Sequence, residues 1–331
     1  GMAAAYLGCN RNKRSVLLDL KRAPARDALW RLVEGADVVV ENFRPGRLER
    51  WGLGYEDLRV LNPRLIMVRV SGWGQDGPRA QEPGFANIAE AFGGMRYLSG
   101  EPGRPPVRAG ISIGDSLAGL HAALGLLLAI YHRDVVGTGE GQLVDVALFE
   151  SVFHMLESTL PEYDFFGKVR ERTGAALPGI VPSNTYPCKD DRWVAIGANS
   201  DAMYVRLMRA IGRDDLADDP ALAHNDGRSS RATKIDAAIV AFTEASTVEE
   251  VLDALREAQV AVGPIHSIAD IASDPHYAAR GVIERHRLPD GRELAIPATI
   301  PRLSLTPALT KWLGPELGAH TEAVLRDWLG E

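Results

Sequence analysis

The stretch "SVLLDLKRAPARDALWRLVEGADVVVEN" (residues 15–42) decides the fold class. Its two ends, "SVLLDL" (15–20) and "DVVVEN" (37–42), are short runs of Val and Leu bounded by charged residues, which predicts strands buried on both faces. Between them "PARDALWRLVEGA" (24–36) sets Ala28, Leu29 and Leu32 at helical spacing. A third apolar run, "LIMVRVSG" (65–72), follows two short helical pieces. Strand, helix, strand, helix, strand predicts a doubly wound parallel sheet of the α/β class.

Downstream comes a Gly/Pro-rich loop, "SGWGQDGPRAQEPG" (71–84), a short helix at "FANIAEAF" (85–92) and a second loop. They lead into "AGISIGDSLAGLHAALGLLLAIYHR" (109–133), where nearly every residue from 117 to 130 is Ala, Leu, Ile or Gly. That composition predicts a helix buried on all sides. Asp115 stands at its mouth, at the edge of a dry interior, and two readings apply. It is an N-cap accepting a backbone N–H bond, or it is a carboxylate nucleophile in a water-excluding site. His121, in the apolar helix, reads as a satisfied core histidine.

"GTGEGQLVDVALFESVFHML" (137–156) predicts a tight turn, a strand and a helix; G-T-G-E-G precedes a strand, which argues against a nucleotide loop. Periodicity fades over 163–187, a boundary or linker. A second unit starts at "WVAIGA" (193–198), with helices near 200–211, 231–244 and 247–258, the last opened by a Thr247/Glu250 capping box. "VAVGPI" (260–265) predicts a strand, and Pro289, Asp290 and Gly291 predict a hairpin turn. The tail predicts a helix packing back on the first domain. The expected domains are 1–185, a large catalytic α/β domain; 186–298, a smaller α+β domain; and 299–331, a returning C-terminal segment.

With 331 residues, 46% hydrophobic and 24% charged, the chain has a globular composition. The longest apolar run, near 122–130, is too short to cross a bilayer, and the start lacks the pattern of a secretory signal; a cytoplasmic protein without a membrane partner is expected. Gly1-Met2 reads as a cloning remnant. Cys9 and Cys188 form no CxxC pair, and the eight histidines fall in no HExxH spacing, so no metal is expected. Residues 1–50 hold ten Lys/Arg against six Asp/Glu in a chain of formal charge −7. A local basic cluster in an acidic chain suggests a small anion as ligand, not nucleic acid.

Six blocks, "NKRSVLLDLK", "ADVVVENFRPGRLERWGLGYEDLRVLNPRL", "SGWGQDGP", "GDSLAGLHAALGLLLA", "HRDVVGTGEGQLVDVALFES" and "GVIERH", resemble in order the family III CoA-transferases, the formyl-CoA and carnitine CoA-transferase group with the 2-methylacyl-CoA racemases. The resemblance implies a Rossmann-like large domain, an interlocked homodimer and Asp115 as nucleophile, forming an aspartyl mixed anhydride and then an aspartyl-CoA thioester. Coenzyme A and its acyl esters are then substrates, with no covalently bound cofactor, and a carboxylic acid is the acceptor. Contacts to coenzyme A are implied from Leu18, Lys21, Asn42, Phe43, Arg47 and Arg50. Against the family pattern an N-terminal strand-helix segment is expected to be absent, and "LPGIVPSNTYP" (177–187) stands where some members carry a glycine-rich loop. The alternatives are an acyl-CoA racemase, although residues 83–91 hold no histidine, and a catalytically impaired CoA-binding remnant.

Overall fold

The computed structural model describes residues 4–330; Gly1-Met2 lies outside them. The chain divides into two compact units. One comprises Gly1–Leu98, Val107–Arg170 and Val282–Glu331, the other Ser99–Pro106 and Glu171–Gly281.

In the first unit, strands β1 (Val38–Glu41), β2 (Ile66–Ser71) and β3 (Leu143–Ala147) form a parallel sheet in the order β1-β2-β3. Successive side chains of a strand point to opposite faces, so β2 feeds two apolar layers. Ile66 and Val68 meet Ala118, Ala122 and Ala129 of helix Ile113–Asp134. Leu65 and Met67 meet Val33 of helix Ala23–Glu34 and Leu58 of helix Tyr55–Leu61. Burial on both faces is why these strands read as unbroken apolar runs.

Residues 15–20 do not form the expected strand. Ser15 N–H donates to His320 Nδ1 (3.1 Å), Ser15 O accepts from His320 N–H (2.9 Å), and Leu17 N–H donates to Thr321 Oγ1 (2.9 Å). The start of the C-terminal helix Thr321–Leu329 thus takes the backbone groups that a ladder would use. Val16 shares with Val38 and Val39 the lining of an apolar recess of about 430 Å³, so the segment faces β1 across a gap.

Helix Ile113–Asp134 differs from expectation twice. At 22 residues it is long and apolar enough, by length and composition, to cross a membrane, which the apolar run alone did not suggest. It is also not buried on all sides. Gly114, Ala118, Ala122, Ala129 and Arg133 form its buried stripe, the small residues allowing close approach to the sheet. Leu120 (68% exposed), Leu124, Leu127 (64%), Leu128 and Tyr131 lie on the exposed side.

In the second unit, β4 (Ser183–Pro187), β5 (Trp193–Gly197) and β6 (Ala261–Pro264) pair antiparallel in that order. β4 lies inside the stretch expected to be a linker, and its pairing with β5 assigns it to the second unit, where the sequence had divided the chain after residue 185. Helices Asp201–Ala210, Ala232–Thr243 and Val248–Glu257 supply Tyr204, Leu207, Ile235, Ile239, Val251 and Leu255 to one core with Val194 and Ile196. The capping box is formed: Thr247 Oγ1 accepts from Glu250 N–H (3.3 Å) and Glu250 Oε2 accepts from Thr247 N–H (2.8 Å). The hairpin β7 (Ile283–Arg287) and β8 (Glu293–Pro297) belongs to the first unit, as does the C-terminal helix, which packs on helix Ala23–Glu34.

Candidate active site

The apolar helix begins at Ile113 with Ser112 in the cap position, so Asp115 is the third helical residue and the cap reading is overturned. Its residue is exposed, not at the edge of a dry interior within the single chain, and among the described residues no hydrogen bond or ion pair engages its carboxylate. First-turn backbone N–H groups give it a favourable end of the helix dipole.

The start of this helix is pinned from one side. A Cβ on Gly114 would stand 3.2 Å from the Ala86 Cβ, tighter than ordinary contact, so a larger residue would push helix Ala86–Phe92 back by a few tenths of an ångström. From the same helix comes Glu90, 3% exposed. Its carboxylate accepts from Arg96 Nη2 (2.9 Å), pairs with Arg108 (3.7 Å) and faces the Gly114 N–H at 3.5 Å. A carboxylate and two guanidinium groups therefore fix the turn that carries Asp115.

The six residues implied in coenzyme A binding fall in two segments. Asn42, Phe43, Arg47 and Arg50 occupy the loop after the carboxyl end of β1, the side of a parallel sheet where open α/β folds bind ligands. The Phe43 ring stands edge-on to Trp51 (5.9 Å between centroids), and the Arg47 guanidinium lies over Trp51 (5.5 Å). Leu20 packs against the same apolar cluster as Phe43 and Trp51, so residues 18–21 border the apolar layer that carries this loop. Lys21, Asn42, Arg47 and Arg50 are exposed and Leu18 is partly buried. Asp115 belongs to a helix on the other sheet face, and no direct contact joins it to these six among the described residues.

Some groups escaped the sequence reading. Arg69 lies in β2 amid apolar residues and pairs with Glu41 and Glu49; a lone arginine in the run "IMVRVS" was the available signal, since buried arginines come with partners. Glu90 in "FANIAEAF" was a similar one. A recess of about 340 Å³ is lined by His121, Val144, Asp145, Glu150, Ser151 and His154. Burial raises the Glu150 carboxyl above its usual range, and the charges of Asp145 and Asp76 add to this. His121 Nδ1 is buried without a hydrogen-bond partner among the described residues, and its ring meets His154 edge-on at 5.5 Å, so it is not the satisfied core histidine expected.

CoA-transferase family III matches residues 1–321. The chain is 45% identical over 320 residues to a succinyl-CoA–D-citramalate CoA-transferase of Chloroflexus aurantiacus, covering 97% of this chain and 79% of that protein. It is 33% identical to a succinate–glutarate CoA-transferase of Agrobacterium fabrum, covering 98% and 80%. A solved CaiB/BaiF family protein from Brucella suis superimposes with a TM-score of 0.85 at 32% identity, over 98% of this chain and 84% of that one. With its parallel-sheet α/β unit and its matching blocks in register, the chain belongs to CoA-transferase family III and is an enzyme of that type.

Proposed function

We propose that this enzyme moves coenzyme A from a succinyl-type donor to a short dicarboxylic acid, with Asp115 as nucleophile. The observation that carries the reading is an unengaged carboxylate in the first turn of the helix Ile113–Asp134, on a turn held by Glu90, Arg96 and Arg108. The donor and acceptor classes follow the names of the relatives.

An Asp115 oxygen attacks the thioester carbonyl, giving an aspartyl mixed anhydride and coenzyme A thiolate. The thiolate attacks the aspartyl carbonyl, releases the donor acid and leaves an aspartyl-CoA thioester. The acceptor carboxylate then attacks that thioester, freeing the thiolate and forming a second anhydride. Thiolate attack on the acceptor carbonyl yields the new acyl-CoA and restores Asp115, so one exchange is divided into four simpler ones. Helix N–H groups beside Asp115 favour the negative charge that develops on each tetrahedral oxygen.

Leu18, Lys21, Asn42, Phe43, Arg47 and Arg50 hold coenzyme A: the cations take its phosphates, while the apolar side chains flank the nucleotide. The enzyme works in the cytoplasm as an interlocked homodimer, a reading supported by the exposed Leu120–Tyr131 face, since a face this apolar on a soluble enzyme calls for a partner.

Asp115→Ala is expected to lower CoA transfer by at least about a thousandfold, because the covalent route is lost. The melting temperature should move little, since a first-turn carboxylate adds only about 0.3–1 kcal/mol through the helix dipole. A variant that keeps the parent transfer rate overturns Asp115 as nucleophile.

A further inference from the structure

Arg69, in the middle strand of the parallel sheet and 5% exposed, gathers two carboxylates. Its Nε donates to Glu41 Oε1 (2.6 Å), and its Nη1 and Nη2 donate to the two oxygens of Glu49. Glu41 ends β1, and its second oxygen accepts the Phe43 N–H at 2.6 Å. The backbone N–H of Gly46, the turn residue at φ +80° between Asn42 and Arg50, also favours the charged Glu49 carboxylate. One buried guanidinium therefore ties down both the entry and the tip of loop 42–50.

Charge gives this tether a second consequence. In "NFRPGRLER" (42–50), Glu49 is the sole carboxylate among three arginines and directly precedes Arg50. Free in solvent, it would sit within pairing range of the cations offered to a phosphate; bound to Arg69, it is directed at the sheet. Burial pushes the Glu49 carboxyl up, but the Arg69 hydrogen bond and charge and the backbone donors outweigh this and hold it below its usual range. It stays ionised, and tied, at neutral pH.

We infer that Arg69 is a positioning residue for coenzyme A: by tying Glu41 and Glu49 to the sheet it fixes loop 42–50 and keeps Glu49 from neutralising Arg47 and Arg50. The inference rests on the coenzyme A reading of that loop given above. Arg69 itself touches no phosphate, since both its carboxylate partners occupy it. The loop arginines keep their full charge for the ligand.

The test compares two thioester substrates, a full acyl-CoA and the matching acyl-pantetheine, which lacks the nucleotide and its phosphates. Arg69→Lys keeps a cation for buried Glu41 but loses the fork that holds Glu49. It is expected to raise KM for acyl-CoA by about tenfold with kcat within about twofold, and to leave KM for acyl-pantetheine unchanged. Glu49→Ala loses the tether but frees no charge, so it should raise KM for acyl-CoA by only about threefold. The double variant should match Glu49→Ala, because no carboxylate remains to quench the arginines.

Equal losses on both thioesters, an unchanged KM, or multiplying effects in the double variant each overturn the inference. If Arg69→Lys does not fold, Glu49→Ala decides on the same two substrates, since the Arg69–Glu41 pair stays intact. Arg47→Ala and Arg50→Ala separate the two levels. If neither raises KM for acyl-CoA, the coenzyme A reading of the loop falls and the inference with it; if both do while Glu49→Ala does not, the inference alone falls.

Discussion

Helix Ala232–Thr243 and helix Ile113–Asp134 are both apolar in composition, yet the chain treats them differently. The first buries Ile235, Ala238, Ile239 and Thr243 in a core closed by neighbouring elements of its own unit. The second seats its small residues on the sheet and leaves Leu120, Leu124, Leu127 and Leu128 exposed. In one helix the bulky residues face inward; in the other they face away from the chain's own core. Apolar composition therefore announces burial without naming the partner that supplies it.

Breaking the exposed face gives the largest expected effect. If the proposed dimer forms through this face, Leu124→Asp together with Leu128→Asp should halve the mass seen by light scattering, because an obligate interface of more than roughly 2,000 Å² does not tolerate two buried, unpaired charges. The same pair of substitutions should change the folding of an isolated chain little. An unchanged mass would overturn this face as the proposed dimer interface.

The closed core should respond in the opposite way. Ile239→Ala deletes a fully buried side chain and should cost about 2–5 kcal/mol in denaturant unfolding, with the mass unaltered. A cost below about 1 kcal/mol would mean that this core collapses around the gap, and that the contrast between the helices is weaker than their burial indicates.

The smallest effect concerns the sheet-facing side of helix Ile113–Asp134, at the recess with His121. Burial, with Asp145 and Asp76, raises the Glu150 carboxyl above its unfolded value. The protonated form is therefore the one the fold favours. Stability from this group is full below the unfolded carboxylate value and is lost as pH rises through the raised one. Glu150→Gln should be the more stable protein at neutral pH, the advantage vanishing as pH falls below the ordinary carboxylate range. A constant difference across that range would show that charge is not the cause.

Much of the architecture was legible because its signals are local. "PARDALWRLVEGA", "DVVVEN" and "LIMVRVSG" became a helix and two strands near the bounds their periodicity indicates, and Thr247 with Glu250 formed the capping box that their spacing predicts. "SVLLDL" carries the same local signal as "DVVVEN" but forms no ladder, because a strand also needs a neighbour and His320 and Thr321 take its backbone groups. β4 was missed in "SNTYP", whose polar residues follow no clear alternation and become a strand only by pairing with β5. For the candidate site, spacing alone left Asp115 between cap and nucleophile, and the six coenzyme A positions came from the family resemblance.

By itself, the sequence determined the class of fold, the family, and a carboxylate at the head of an apolar helix, since each depends on residue order over short windows or on blocks in register. Tertiary structure alone decided that Asp115 is the third helical residue and not the cap, that Glu90 draws two arginines to its turn, and that Arg69 reaches Glu41 and Glu49 across 28 and 20 residues of chain. The physical reason is that charge pairing and burial depend on distance in space. A side chain's hydrogen-bond partners are set by which elements pack together, and no window of sequence contains them.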